Sequence, residues 1–284
     1  MLWNTYCLVR LSLIYRGRAI PIVWKVFEHG SATISLEDYE ALLDQAAQML
    51  FPFNCKVIFL ADRGFADTKL MQHLTQLNWN FRIRIKENFY IYRPGKRARQ
   101  VKNIRLKAGH TQFWHQVQIT QERFGEVHLA IGRTLKSKER WVVISDEPTD
   151  VETFQEYGLR FDIEENFLDD KSNGFQLESS RIRSAKALER LCFVLAVATL
   201  YLTAQGTRVV QNGKRRQVDA HWERGSSYLK IGWAWVKRAV SRSEKLQPTL
   251  TLSHIPDPEP AMASKIQHRK RSQPLFFTPL DKAA

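Results

Sequence analysis

Residues Lys56-Val57-Ile58-Phe59-Leu60-Ala61 form a short apolar run that stops at Asp62-Arg63-Gly64. A run this short, closed by a turn signal, reads as a strand. Asp67 then stands at a capping position before Leu70, Leu74 and Leu77, whose spacing is helical with one apolar face. Phe81 to Lys86 alternates as a further strand. Upstream, Tyr6 to Tyr15 and Ala19 to Phe27 are two apolar stretches around Arg16-Gly17-Arg18, a β-hairpin with a glycine turn. Ser35 and Asp38 precede Tyr39, Leu42, Leu43, Ala46 and Leu50, again a helical face. The order strand-strand-helix-strand-helix-strand predicts an α/β sheet with helical cover.

Residues 87–145 have another character. Helical periodicity vanishes, Gly and basic residues increase, and short strand-like runs appear at Tyr90-Ile91-Tyr92, Phe113 to Ile119, Val127 to Ile131 and Trp141 to Ile144. They predict a β-rich insertion. Thr149 and Asp150 open a mainly helical stretch to about Gln205, interrupted near Ser172-Asn173-Gly174. The expected organisation is a split α/β core, 1–86 and 146–206, around an insertion at 87–145. A basic C-terminal region, 207–284, follows with one helix (Tyr228 to Val240) and a disordered Pro-rich tail carrying His268-Arg269-Lys270-Arg271.

Charge narrows the partner. Lys and Arg number 43 against 29 Asp and Glu, a net charge of +14, which suits a polyanion. The longest apolar run, Leu191 to Leu202, is too short to span a bilayer and reads as a buried helix, so no membrane is expected. Cys7, Cys55 and Cys192 sit in apolar contexts without metal spacing, which fits a core role and a reducing compartment. The histidines form no zinc-like cluster.

The segment Tyr157 to Lys171 carries the chemistry. On one helix, offsets of 3, 7 and 14 from Tyr157 place Arg160, Glu164 and Lys171 within about 60° of one another, with Glu165, Asp169 and Asp170 pointing away. A carboxylate among cations suits phosphate chemistry, the acid holding a metal and the bases holding DNA phosphates.

These residues match the Tyr-x-x-Arg-x-x-x-Glu-x-x-x-x-x-x-Lys signature, and the chain resembles bacterial insertion-sequence transposases of the DDE type over roughly residues 1–205. That family places its second catalytic Asp at the end of a core strand before Arg-Gly-Phe, as Leu60-Ala61-Asp62-Arg63-Gly64-Phe65 stands here. The resemblance implies an α/β, ribonuclease H-like mixed sheet with flanking helices, interrupted by the β-rich insertion. It implies Asp62 and Glu164 as catalytic metal ligands, Arg160 and Lys171 as phosphate contacts, and Tyr157 as a DNA-end contact. It further implies two Mg²⁺ ions, which Mn²⁺ can replace, acting on double-stranded DNA at transposon ends and target. A homodimer on DNA and a cytoplasmic, nucleoid-associated location go with it. The family's first Asp lies a few residues before the hairpin that begins here near Tyr6. Residues 1–37 contain no Asp, so that acid is expected upstream of Met1, in a chain truncated at its N-terminus and inactive as written.

Other readings stand beside this one. A non-catalytic DNA-binding remnant would share the fold without turnover. A ribonuclease H-like nuclease would share the acids but has no reason to carry Tyr157, Arg160 and Lys171 at this spacing. Asp146 also ends an apolar strand and is the best rival acid, although Asp-Glu-Pro favours a turn. Trp233 and Trp235 could stack on bases, but a helix docking on the core explains them as well.

Overall fold

The structure, a computed structural model, describes residues 2–30, 34–135, 140–220, 225–248 and 250–256. The expected tail from His268 to Arg271 lies outside the described residues. The chain divides into two compact units. One holds residues up to Ile34, Ala41–Ala46 and the chain from Phe161 onward; the other holds Ser35–Glu40 and Ala47–Arg160.

The first unit begins with β1 (Tyr6–Tyr15) and β2 (Arg18–Glu28), antiparallel from Tyr6↔Glu28 to Tyr15↔Arg18. Arg16 and Gly17 between them both have positive φ, 50° and 76°, the mirror-image turn whose twist matches that of the strands. Helix α1 (Leu36–Leu50), only the middle of which (Ala41–Ala46) belongs to this unit, starts in the second unit, where the Asp38 carboxylate accepts from the Ser35 backbone N–H at 3.0 Å and from its hydroxyl at 2.9 Å.

The second unit is built on β3 (Ile58–Ala61), β4 (Asn80–Arg84), β5 (Tyr90–Tyr92), β6 (Arg99–Gln100), β7 (Thr111–Ile119), β8 (Phe124–Arg133) and β9 (Arg140–Ser145). They form one seven-stranded sheet in the order β3-β4-β9-β8-β7-β5-β6. Helix α2 (Thr68–Gln76), capped by Asp67 accepting from Lys69 N at 2.8 Å, makes the crossover between β3 and β4. Those two strands are parallel, and every other pairing in the sheet is antiparallel. The insertion is therefore continuous with the strands before it: β4 pairs with β3 on one side and β9 on the other. Phe81, Ile83, Leu129, Ile131, Val143 and Ile144 are each at most 1% exposed. Burial on this scale stabilises by roughly 1.5–3 kcal/mol per large side chain.

Arg82 crosses this sheet as a buried cation, and its surroundings show how the charge is kept. It donates to Glu156 at 2.8 Å, Glu147 at 2.9 Å, Ser145 Oγ at 2.9 Å and the Phe81 carbonyl at 3.0 Å. Burial opposes its charge, but the Glu147 and Glu156 carboxylates outweigh that and raise its pKa. Helix α3 (Glu152–Gly158), which supplies Glu156, closes the second unit.

Back in the first unit, α4 (Phe161–Leu168) runs into a π-helical turn at Asp169–Asn173, followed by α5 (Ala185–Gln211) and α6 (Tyr228–Ser241). Helix α5 covers the hairpin. Glu189 Oε1 accepts from Val26 N at 3.0 Å and the Glu189 carbonyl accepts from Trp24 Nε1 at 3.0 Å, so the outer edge of β2 finds a partner. Leu188, fully buried, and Leu195 pack with Tyr6 and Val26 in one core cluster. Gly206 on α5 meets Gly232 on α6. A Cβ on Gly206 would stand 1.9 Å from the Tyr228 carbonyl oxygen, and one on Gly232 would stand 1.8 Å from that of Leu202. Only hydrogen at both positions allows this approach. Tyr228, Leu229 and Ile231 are buried at the same contact, while Trp233 packs on Phe175 and Trp235 joins the Val209, Val210 and Ile231 cluster. The two tryptophans thus take the docking role.

The apolar stretch extends further than expected, because α5 continues for 27 residues and is long and apolar enough, by composition alone, to cross a membrane. Of its most apolar window 44% is buried inside the protein, where the helix packs against β2 and α6. Cys55 also departs from expectation: it is exposed, whereas Cys7 and Cys192 are buried.

Candidate active site

Asp62 follows the last residue of β3, where the strand gives way to a short 3₁₀ turn at Arg63–Phe65. Its Oδ1 accepts from Gly64 N at 2.7 Å, fixing the side-chain torsion of a half-buried carboxylate. Glycine at 64 leaves room for this carboxylate position, since a Cβ would stand 2.9 Å from the same Oδ1 and the side chain would have to shift. Phe65 anchors the turn, its ring edge-to-face with that of Tyr39, 5.7 Å between centroids. The turn residues thus hold the acid still while leaving it open to solvent.

In the same unit, Tyr157 is buried to 1% exposure among Ala130, Val143 and Phe154, edge-to-face with Trp141 at 5.7 Å. Burial raises its pKa, and the nearby Arg160 charge pulls the other way; the Asp62 charge adds a smaller upward push. The guanidinium of Arg160 lies 5.7 Å from the Tyr157 ring centroid. The phenol ring is thus packed in the core of the second unit, with the Arg160 guanidinium beside it.

The single helix expected from Tyr157 to Lys171 is interrupted twice. Helix α3 ends at Gly158, where Leu159 N and Arg160 N bond back to the Glu156 and Tyr157 carbonyls in tight turns. Helix α4 then ends at Leu168 and the π-helical turn begins. A π turn adds a residue and breaks the 3.6-residue phase, so counting faces fails beyond 168. Asp169 and Asp170, expected to point away, turn inward onto the hairpin. Asp169 pairs with Arg18 at 2.9 Å and Asp170 with Arg10, all four side chains at most 5% exposed. Arg10 also lies over the Phe167 ring, 3.9 Å from its centroid. Burial raises the pKa of both acids, and the paired arginines oppose that shift.

Glu164 on α4 is exposed, and with Lys171 it lines a cleft of about 370 Å³ in the first unit, beside Leu2, Leu8, Phe167 and Asp170. Lys171 reaches Glu178 at 3.5 Å. The expected residues thus fall in two groups: Asp62, Tyr157 and Arg160 in one unit, Glu164 and Lys171 in the other. Asp146, the rival acid, accepts from Phe81 N at 2.9 Å and Asn80 Nδ2 at 2.7 Å, tying the start of β4 to the end of β9. Among the described residues no three His, Cys, Asp or Glu are grouped to hold a metal ion.

A comparison with curated proteins finds no match. The family model described as the transposase DDE domain matches residues 8–201, a span that includes Asp62, Tyr157, Arg160, Glu164 and Lys171. The seven-stranded mixed sheet with its flanking helices fits the ribonuclease H-like α/β fold of such transposases. An acid fixed at a strand end, followed by an acid on a later helix across an antiparallel insertion, has its explanation in that match: the chain belongs to the transposase DDE domain family.

Proposed function

We propose that this chain works in the branch of the family marked by Tyr157, Arg160, Glu164 and Lys171, cleaving and joining strands of double-stranded DNA at transposon ends and target. The observation that carries the reading is Asp62, held by Gly64 N–H at the end of β3 with its carboxylate open to solvent. Asp62 and Glu164 are the metal ligands in this reading. Their donors are hard carboxylate oxygens with neither thiolate nor imidazole among them, which suits Mg²⁺ or Mn²⁺. When bound, such ions activate water or a 3′-hydroxyl and stabilise the leaving oxygen. Arg160 and Lys171 hold DNA phosphates beside the scissile one, and Tyr157 contacts the DNA end together with Arg160, which it supports.

The basic edge of the sheet supports DNA as the substrate. Between Arg93 and Lys107 there are seven Lys and Arg and no acid. Lys96, Arg97, Arg99, Lys102, Arg105 and Lys107 are all exposed. Spaced phosphates answer such a surface.

A second reading, DNA binding without turnover, rests on the number of acids assigned to the site, the two carboxylates of Asp62 and Glu164. Mg²⁺ dehydrates reluctantly and needs near-octahedral ligation, so two carboxylates alone hold it weakly. One experiment separates the readings. DNA binding and strand nicking of transposon-end duplex are measured in Mg²⁺ or Mn²⁺ for the chain and for Asp62→Ala and Glu164→Ala. Nicking that disappears in both variants supports the enzyme, and binding with no nicking supports the second reading. Arg160→Ala and Lys171→Ala should weaken binding and flatten its salt dependence. An unchanged slope in both removes them as phosphate contacts.

A further inference from the structure

The β7–β8 hairpin contains a constellation that neither the family match nor the acidic residues account for. Trp114 pairs with Leu129 and Val117 with Val127, so His115 and Gln116 together face the single residue His128. This is a β-bulge, and Gln116 takes the left-handed φ of 51° that lets the strand absorb its extra residue. The bulge turns the two imidazoles toward each other. Their Nδ1 atoms are 3.1 Å apart and their ring centroids 5.3 Å apart, the rings inclined at 56°. His115 is exposed and His128 half-buried, so the pair is open to solvent.

Two facing ring nitrogens leave two chemical solutions. One is a single proton shared as N–H···N; the other is a cation bound by both lone pairs. With metal–nitrogen bonds of about 2.0–2.1 Å, a 3.1 Å separation subtends an angle near ~100° at the metal, between the octahedral and tetrahedral values. The surroundings favour a cation. Glu126, exposed and two residues before His128, adds negative potential, and among the described residues no third His, Cys, Asp or Glu joins the pair as a ligand. Asp146, after β9, adds negative potential although its oxygens are engaged by Asn80 and Phe81. Burial, and then His115, lower the proton affinity of His128, with Asp146 and Glu126 opposing them. The unprotonated imidazole is the form that binds metal.

We propose that His115 and His128 chelate a divalent transition metal that clips β7 to β8 across the bulge. Imidazole selects zinc, copper and nickel over magnesium, so this site is chemically separate from the carboxylates of Asp62 and Glu164. Its role is to tie the hairpin where the ladder is interrupted.

The test uses the untagged full chain, stripped with chelator and dialysed against Zn²⁺ in excess Mg²⁺. The chain should retain one Zn²⁺ that Ni²⁺ displaces and Mg²⁺ does not, and its melting temperature should rise with Zn²⁺. His115→Ala and His128→Ala should each weaken retention by at least about tenfold and abolish the melting shift. His115 is exposed and His128 half-buried, and the folding of both variants is checked by circular dichroism. Lowering the pH below the imidazole range should release the metal, as both rings take up protons. Equal Zn²⁺ retention by the double variant, or no retention by the wild-type chain, overturns the proposal. Either result leaves the transposase reading untouched, because that rests on other residues and another metal.

Discussion

Asp62 Oδ1 and Gly64 N are 2.7 Å apart, and the space for a Cβ on Gly64 lies 2.9 Å from the same oxygen. The glycine therefore serves the acid twice, by donating a hydrogen bond and by lacking a side chain. Gly64→Ala should displace the carboxylate while leaving the fold intact, because residue 64 is exposed. The expected outcome is a drop of about tenfold in Mn²⁺ affinity, since small misplacements of a liganding group are costly. Stability should change by less than about 1 kcal/mol. Mn²⁺ titration followed by proton relaxation, together with urea unfolding, measures both. Wild-type affinity in the variant would show that the position of Asp62 does not govern metal binding.

The α5–α6 packing predicts the opposite balance. Gly232→Ala puts a methyl 1.8 Å from the Leu202 carbonyl oxygen, and Gly206→Ala puts one 1.9 Å from that of Tyr228. Backbone cannot swing aside as a side chain can, so each variant should lose at least about 1–3 kcal/mol. Gly213→Ala is the control: nothing lies within 4 Å of its Cβ and only its positive φ is strained. Unfolding midpoints should fall well below that control for the two interhelical variants.

Asp170→Ala would strand the Arg10 guanidinium, whose side chain is 4% exposed. Removing one partner of a buried pair costs about 3–5 kcal/mol, whereas replacing both by apolar residues is often neutral. Arg10→Met combined with Asp170→Leu should therefore recover most of the stability that the single change removes. A double-mutant cycle by chemical denaturation checks it, and additive losses would count against a direct pair.

Alkaline pH should act through Tyr39. Burial, then the Asp67 and Glu37 charges, push its pKa up to about 12 from the usual 10. Below pH 10 the group is protonated in both folded and unfolded chains and its contribution to stability is complete. Between 10 and about 12 the unfolded chain releases its proton while the folded chain keeps it, so stability falls as pH rises. The loss is bounded at roughly 2–3 kcal/mol. Tyr39→Phe should flatten that limb of the stability–pH curve, and phenolate absorbance should lose one late-titrating tyrosine relative to the wild-type chain.

The basic edge gives a salt-dependent prediction. Lys96, Arg97 and Arg99 changed together to Glu should weaken binding to any duplex. The logarithmic salt slope should shrink by about 0.9 for each phosphate that the protein no longer neutralises. Fluorescence anisotropy at several salt concentrations reads both. An unchanged slope would place the DNA elsewhere on the protein.

Local signals in the sequence account for the elements that are legible in it. The Arg16-Gly17 turn, the Ser35–Asp38 and Asp67 caps, and the stop of β3 at Asp62 each depend on a few neighbouring residues, and each is found as expected. Strand β6 has no such signal, being two polar residues, Arg99–Gln100, held only by pairing with β5. The inward turn of Asp169 and Asp170 is hidden for a different reason. Face counting assumes one helical period, and the π-helical turn changes the period at the residue where it matters. Partners far along the chain are equally invisible: Arg10 is 160 residues from Asp170, and His115 meets His128 only through a bulge. Hydrophobic pattern places Tyr157 on a helix but not in the core, since a tyrosine suits both surface and interior.

Strand β4 receives β3 along one edge and β9 along the other. An insertion joined in this way is not a detachable module. Deleting residues 87–145 and rejoining the ends would strip β4 of its antiparallel neighbour and bare a row of amide and carbonyl groups beside Phe81 and Ile83. Such an edge invites pairing between molecules. The outer strands β5 to β7 could change in length or surface without touching β4, whereas β9 has to stay where it is.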